Sequence, residues 1–152
     1  MVSLMDFVHK IATIARIIAA EKGDLILFAL IKRAEGIGLW DVVLSASWFD
    51  TDEKETLDYI MQKLTENLTS EEMMLISQIR PFPPTDPRIQ EILQLVQQRV
   101  GQPIKHGHVE LSSWTLSSMP VSHAHIFTAQ TGTALSQTMP PAGETGARRA
   151  LE

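Results

Sequence analysis

Trp40-Asp41-Val42-Val43-Leu44-Ser45-Ala46-Ser47-Trp48-Phe49-Asp50 is an apolar run that closes on two aromatics and an acid. Its length, its paired valines and its polar boundaries read as a buried strand. Asp52-Glu53-Lys54-Glu55 follows at once as a capping box, with an acidic first turn suited to the helix dipole. Leu57, Ile60, Met61, Leu64 and Leu68 then mark one face of a helix through about residue 67. Strand followed directly by helix argues for a layered α/β (or α+β) domain rather than a helical bundle.

Upstream, Leu25-Ile26-Leu27-Phe28-Ala29-Leu30-Ile31 is apolar on every residue, a pattern that fits a buried strand or a buried helix. Its length and the turn-like Ala34-Glu35-Gly36-Ile37-Gly38 favour a strand, joined to the Trp40 strand as an antiparallel hairpin. Before it, Leu4, Phe7, Val8, Ile11, Ile14, Ala15 and Ile18 form the stripe of a core-facing helix stopped by Lys22 and Gly23.

Downstream, Thr69-Ser70-Glu71-Glu72 is a second capping box, opening a short helix with Met73, Met74 and Ile76. Ser77-Gln78-Ile79-Arg80-Pro81-Phe82 reads as a brief strand that Pro81 confines to a sheet edge or a strand end. Asp86 as N-cap and Pro87 at the first helical position begin a helix with Ile89, Ile92, Leu93, Val96 and Val100 inward. Val109–Trp114 and Val121–Thr128 alternate in part, as half-buried strands do, and Ser117-Ser118-Met119-Pro120 turns the chain between them into a second hairpin. The expectation is a single domain over 1–129, with a mixed sheet of four or five strands covered by helices. Residues 130–152, rich in Thr, Ser, Gly, Pro and Ala, bury too little to offset their ordering entropy and read as a flexible tail.

The run Trp40-Asp41-Val42-Val43-Leu44-Ser45-Ala46, with Trp48 after it, resembles a block found in small uncharacterised bacterial α/β proteins. The resemblance spans about residues 25–128 and implies the α/β fold. It implies no activity and no site residues.

A net charge of −5 over 152 residues speaks against nucleic acid, whose binders need a basic footprint to release counterions. The absence of cysteine excludes disulfides, zinc–thiolate sites and thiol catalysis. Asp6 precedes the apolar stretch Ile11–Ala20 and Arg16 interrupts it, which argues against a secretion signal. No uninterrupted apolar stretch reaches the ~18 residues of a membrane span, so the expected location is the cytoplasm.

Four of the five histidines lie in two His-x-His pairs, His106-Gly107-His108 and His123-Ala124-His125. On a strand, residues two apart share a face, so each pair can present two imidazoles to one divalent metal. In a hairpin turning at Ser117-Ser118, Glu110 faces His125 and His108 lies diagonal to it, giving nitrogen and carboxylate donors suited to zinc, manganese or iron. A slip of one residue sends one strand's ligands to the opposite face. Even in the favourable register, His106 lies beyond the partner strand's histidines.

Other chemistry is thinner. Ser45 and Ser47 lack a Gly-x-Ser-x-Gly elbow. Asp41 and Asp50 would lie about 30 Å apart on a straight strand at ~3.3 Å per residue, too far for one carboxylate cluster. Eight acids between residues 50 and 72, against Lys54 and Lys63, read as a solvated helix face and two caps. Trp48-Phe49, at a strand's carboxyl end, can line a small-ligand crevice. With no catalytic signature of fixed spacing, the leading expectation is a non-enzymatic interaction or regulatory module that binds a protein partner or forms a homodimer, with no cofactor. A small metal-dependent hydrolase using His106, His108, His123 and His125 is the alternative, and a ligand sensor at Trp48-Phe49 is the third.

Overall fold

The computed structural model describes residues 3–34, 38–49, 53–105, 107–116 and 119–130. The expected tail from residue 131 onward, His106, and the first capping box with Asp50 and Asp52 lie outside the described residues. Among the described residues four helices, α1 (Leu4–Lys22), α2 (Glu53–Asn67), α3 (Ser70–Met73) and α4 (Pro87–Arg99), accompany five strands. These are β1 (Leu25–Arg33), β2 (Trp40–Ala46), β3 (Ile76–Pro81), β4 (Val109–Leu116) and β5 (Met119–Ala129). They form one mixed sheet in the order β3-β2-β1-β5-β4.

The Trp40–Phe49 stretch forms β2 only through Ala46, all seven residues of it buried, and Ser47 and Trp48 already lie in a turn. It pairs antiparallel with β1 on one side and parallel with β3 on the other. The parallel step is the one that requires a crossover, and α2 and α3 supply it. Interior position explains why β1 and β2 are apolar without alternation: helices cover both faces. Phe7, Ile11, Ile14 and Ile18 of α1 and Ile60 and Leu64 of α2 pack on Phe28, Leu30, Val42, Leu44 and Phe127. Ile89, Ile92 and Val96 of α4 pack on the other face against Ala29, Ile31, Val43, Trp114 and Ile126.

Two expectations need correction. The short helix after Thr69 stops at Met73 and does not include Ile76, which instead starts β3 opposite Trp40. Trp40 N–H donates to the Leu75 carbonyl at 2.8 Å, so the edge of β2 takes this backbone before a further helical turn can form. The partial alternation expected of β5 holds at Val121, Ser122 and His123 but not beyond: every residue from Ala124 to Ala129 is buried, because β5 lies inside the sheet between β1 and β4. The second capping box is formed, with Glu72 N–H on Thr69 Oγ1 at 3.1 Å and Thr69 N–H on Glu72 Oε1 at 2.9 Å. The same Glu72 oxygen accepts from Lys10 Nζ at 2.8 Å, which ties α3 to α1. Asp86 caps α4 with Pro87 in its first turn, and Pro81 ends the edge strand β3. Among the described residues no helix is long and apolar enough to cross a membrane.

Candidate metal centre

The β4–β5 ladder pairs Leu116 with Met119, so the hairpin closes over two residues, and it places Glu110 opposite His125 and Ser112 opposite His123. His108, just before β4, lies one alternation back from Glu110 on the same face. The result is a convergence of His108, Glu110 and His125, whose donor atoms all lie within 4.8 Å of one another. His108 Nε2 and His125 Nδ1 are 2.7 Å apart and share a hydrogen bond. Glu110 Oε2 is 3.6 Å from the same His125 nitrogen.

The three side chains sit in different surroundings. The His125 ring is 4% exposed and lies against Trp40, with ring centroids 5.2 Å apart. His108 is exposed on one side and stacks on Phe127 with the other, at 5.4 Å and 17° between planes. Glu110 is 62% exposed. Burial pushes the His125 pKa below the ordinary histidine value, and His108 and His123 add to that, while the Glu110 carboxylate pulls the other way. A neutral imidazole at pH 7 keeps the lone pair that a metal needs.

The distances show what a metal would change. Ligands at ~2.1 Å from a tetrahedral ion are about 3.4 Å apart. The carboxylate oxygen and His125 Nδ1 already have nearly that spacing. The two imidazoles are closer than that by about 0.7 Å, because at present one donates a proton to the other. To ligate a metal, the donating ring would have to carry its proton on its other nitrogen and the pair would have to open slightly. Two nitrogens and one carboxylate oxygen suit zinc, iron or manganese. Three protein ligands, two of them open to solvent, leave coordination positions for water or substrate.

The histidines named from the sequence separate accordingly. His108 and His125 meet and Glu110 joins them. His123 is exposed on the same strand face as His125 but is not one of the three converging groups. Trp40, which backs His125, was legible as part of a buried strand but not as a neighbour of the histidines. It sits on β2, and only the placement of β1 between β2 and β5 brings the two rings together.

Trp48 and Phe49 are half-buried and pack against the α1–α2 core. The Trp48 indole N–H donates to the Gly23 carbonyl at 3.1 Å, and its ring meets Phe49 edge-on at 4.7 Å. The pair thus joins the end of α1 to the turn after β2. Ser45 is fully buried on the α4 face with no hydrogen-bond partner for its hydroxyl among the described residues, and Asp41 is buried on that same face. Neither lies beside the histidine group. Comparison of the chain with family models, with curated proteins and with solved structures finds no match.

Proposed function

We propose that the β4–β5 hairpin binds one divalent transition-metal ion, with zinc as the first candidate, through His108 Nε2, His125 Nδ1 and the Glu110 carboxylate, and that the protein is a small metal-dependent hydrolase. The observation that carries this reading is the convergence of two imidazoles and a carboxylate across one strand pair. The asymmetry of burial supports it. His125 holds a fixed, neutral donor against Trp40, while His108 and Glu110 leave the approach from solvent open. A metal with a free coordination position lowers the pKa of bound water to near 7, and that supplies a nucleophile without a serine or cysteine.

The test is the metal content of purified, untagged protein after dialysis against zinc. One equivalent is expected, lost in His108→Ala and in His125→Ala and kept in His9→Ala, whose side chain is exposed on α1. No bound metal and no stabilisation by added zinc, iron or manganese overturns the proposal.

The interaction-module reading stands second, favoured by the exposed Leu4, Met5, Leu57, Met61 and Met74 on the α1, α2 and α3 side of the molecule. Isolated exposed apolar residues are ordinary on monomers, so these weigh less than the converging donors. Light scattering across a concentration series tests it, and a constant monomer mass counts against the homodimer.

A further inference from the structure

The face of the sheet opposite the histidines carries a second feature. Ile31 of β1 with Asp41 and Val43 of β2 floor a cleft of about 190 Å³, walled by Arg80, Phe82 and Arg88 and closed by Leu116 and Met119 from the tip of the β4–β5 hairpin. Asp41 is 2% exposed, and among the described residues neither of its carboxylate oxygens has a hydrogen-bond partner. Its nearest cations are Arg33 Nε at 3.4 Å and Arg80 Nη1 at 3.9 Å. Both exceed the ~2.7–2.9 Å of a charge-assisted hydrogen bond. A buried carboxylate with its lone pairs unmet is costly unless something else supplies donors. Burial also pushes its pKa above the ordinary aspartate value, although both arginines oppose this.

The surrounding charges select what that something is. Arg88 is engaged: it forks onto Asp86 at 3.0 and 2.9 Å and lies over the Phe82 ring at 4.0 Å. Among the described residues Arg80 makes no close ion pair: it lies 3.9 Å from Asp41, 5.4 Å from the Phe82 ring, and near enough to Asp86 to lower that carboxyl's pKa. A plain cation would meet the arginines, and a plain anion would meet Asp41. A flat heteroaromatic would find the Phe82 face already taken by Arg88. A molecule that carries an ammonium group and a carboxylate satisfies both charges at once, and Ile31, Val43, Leu116 and Met119 offer an apolar wall for its side chain.

We propose that this cleft binds a small zwitterion, an α-amino acid with an apolar side chain, its ammonium on Asp41 and its carboxylate on Arg80. The size fits a small metabolite, being below the ~300–1,000 Å³ of pockets for drug-sized ligands. The site is independent of the metal reading, since it lies on the other face of the sheet.

The test is thermal shift followed by calorimetry on metal-free full-length protein, using L-leucine and L-methionine as probes. A saturable rise in melting temperature is expected with the amino acids, and none with 4-methylpentanoate or 3-methylbutylamine, which carry one charge each. Asp41→Asn keeps the shape and is expected to weaken binding roughly 10- to 100-fold. Met119→Trp fills the cleft from the hairpin tip while leaving the Asp41 residue itself unchanged, and is expected to abolish binding while unfolding stays cooperative. No shift with either amino acid, equal binding by the singly charged analogues, or unchanged binding in a folded Asp41→Asn or Met119→Trp protein overturns the proposal. If Asp41→Asn does not fold, the analogues and Met119→Trp still decide.

Discussion

Ser112 and His123 face each other across the β4–β5 ladder, both exposed, and a cysteine at each position bridges the two strands in that register. Directly opposed residues of an antiparallel pair have Cα atoms ~4.5–5.5 Å apart, inside the ~4.4–6.8 Å range of natural disulfides. The closed loop contains about a dozen residues, for which the chain-entropy relation gives an upper value of about 2.8 kcal/mol. In a domain of this size that raises the melting temperature by roughly 5–10 °C. The protein has no cysteine, so the two introduced thiols have no competitors. Intact mass reports bridge formation, and melting with and without reductant reports its stabilisation. Ser112→Cys with Ser122→Cys is the control, because residue 122 points to the opposite face. A bridge in the control pair and none between 112 and 123 means a ladder slipped by one residue. That would remove Glu110 from His125 and with it the candidate metal centre.

Three further outcomes follow from particular contacts. Removing Glu72 (Glu72→Ala) breaks both the α3 capping box and the Lys10 tie and is expected to cost about 2 kcal/mol in urea unfolding. The Glu72 pKa is held below its ordinary 4.5, first by Lys10 and then by the Thr69 N–H. This contribution is therefore present above about pH 4.5 and fades as pH falls through the folded value; an unchanged acid limb in the variant counts against it. Gly23 has φ +113°, where a side chain is strained whatever the space, so Gly23→Ala is expected to cost about 1–2 kcal/mol. A Cβ there would meet Trp48 Cδ1 at an ordinary 3.5 Å, so an unaltered urea midpoint would show that the backbone strain is absent. For the metal-free protein, His125 has a folded pKa below its ordinary 6.5, so its share of stability is full above about pH 6.5 and falls as pH drops through the folded value. Zinc stabilisation is expected to fade over the same acid side as protons compete for the imidazoles, and a pH-independent zinc shift means the histidines are not the ligands.

Some of this protein was legible in the chain because its signals are local. The α1 stripe, the Thr69 capping box, the Asp86-Pro87 helix start and the unbroken apolar runs of β1 and β2 depend only on side-chain periodicity and near-neighbour hydrogen bonds. That Glu110 would face His125 was legible only on the condition of a hairpin turning at Ser117-Ser118, and the sequence left that register open; the pairing of Leu116 with Met119 is what meets the condition. Where Ile76 belonged was not. Helix and strand were locally comparable there, and the free edge of β2 decided between them. Strand order was also beyond local signals, since it is set by which apolar faces pack together across long stretches of chain. That order places Trp40 against His125 from across β1, and buries Ala124–Ala129 of β5 on both faces. It also brings Asp41 of β2, Arg80 of β3, Arg88 of α4 and the tip of the β4–β5 hairpin around one cleft. The sequence by itself determined most of the helices and strands, because these follow from contacts a few residues apart, and it left the register of the second hairpin open. Only the tertiary structure decided which distant side chains meet, because burial of both sheet faces selects among arrangements that the local chain cannot tell apart.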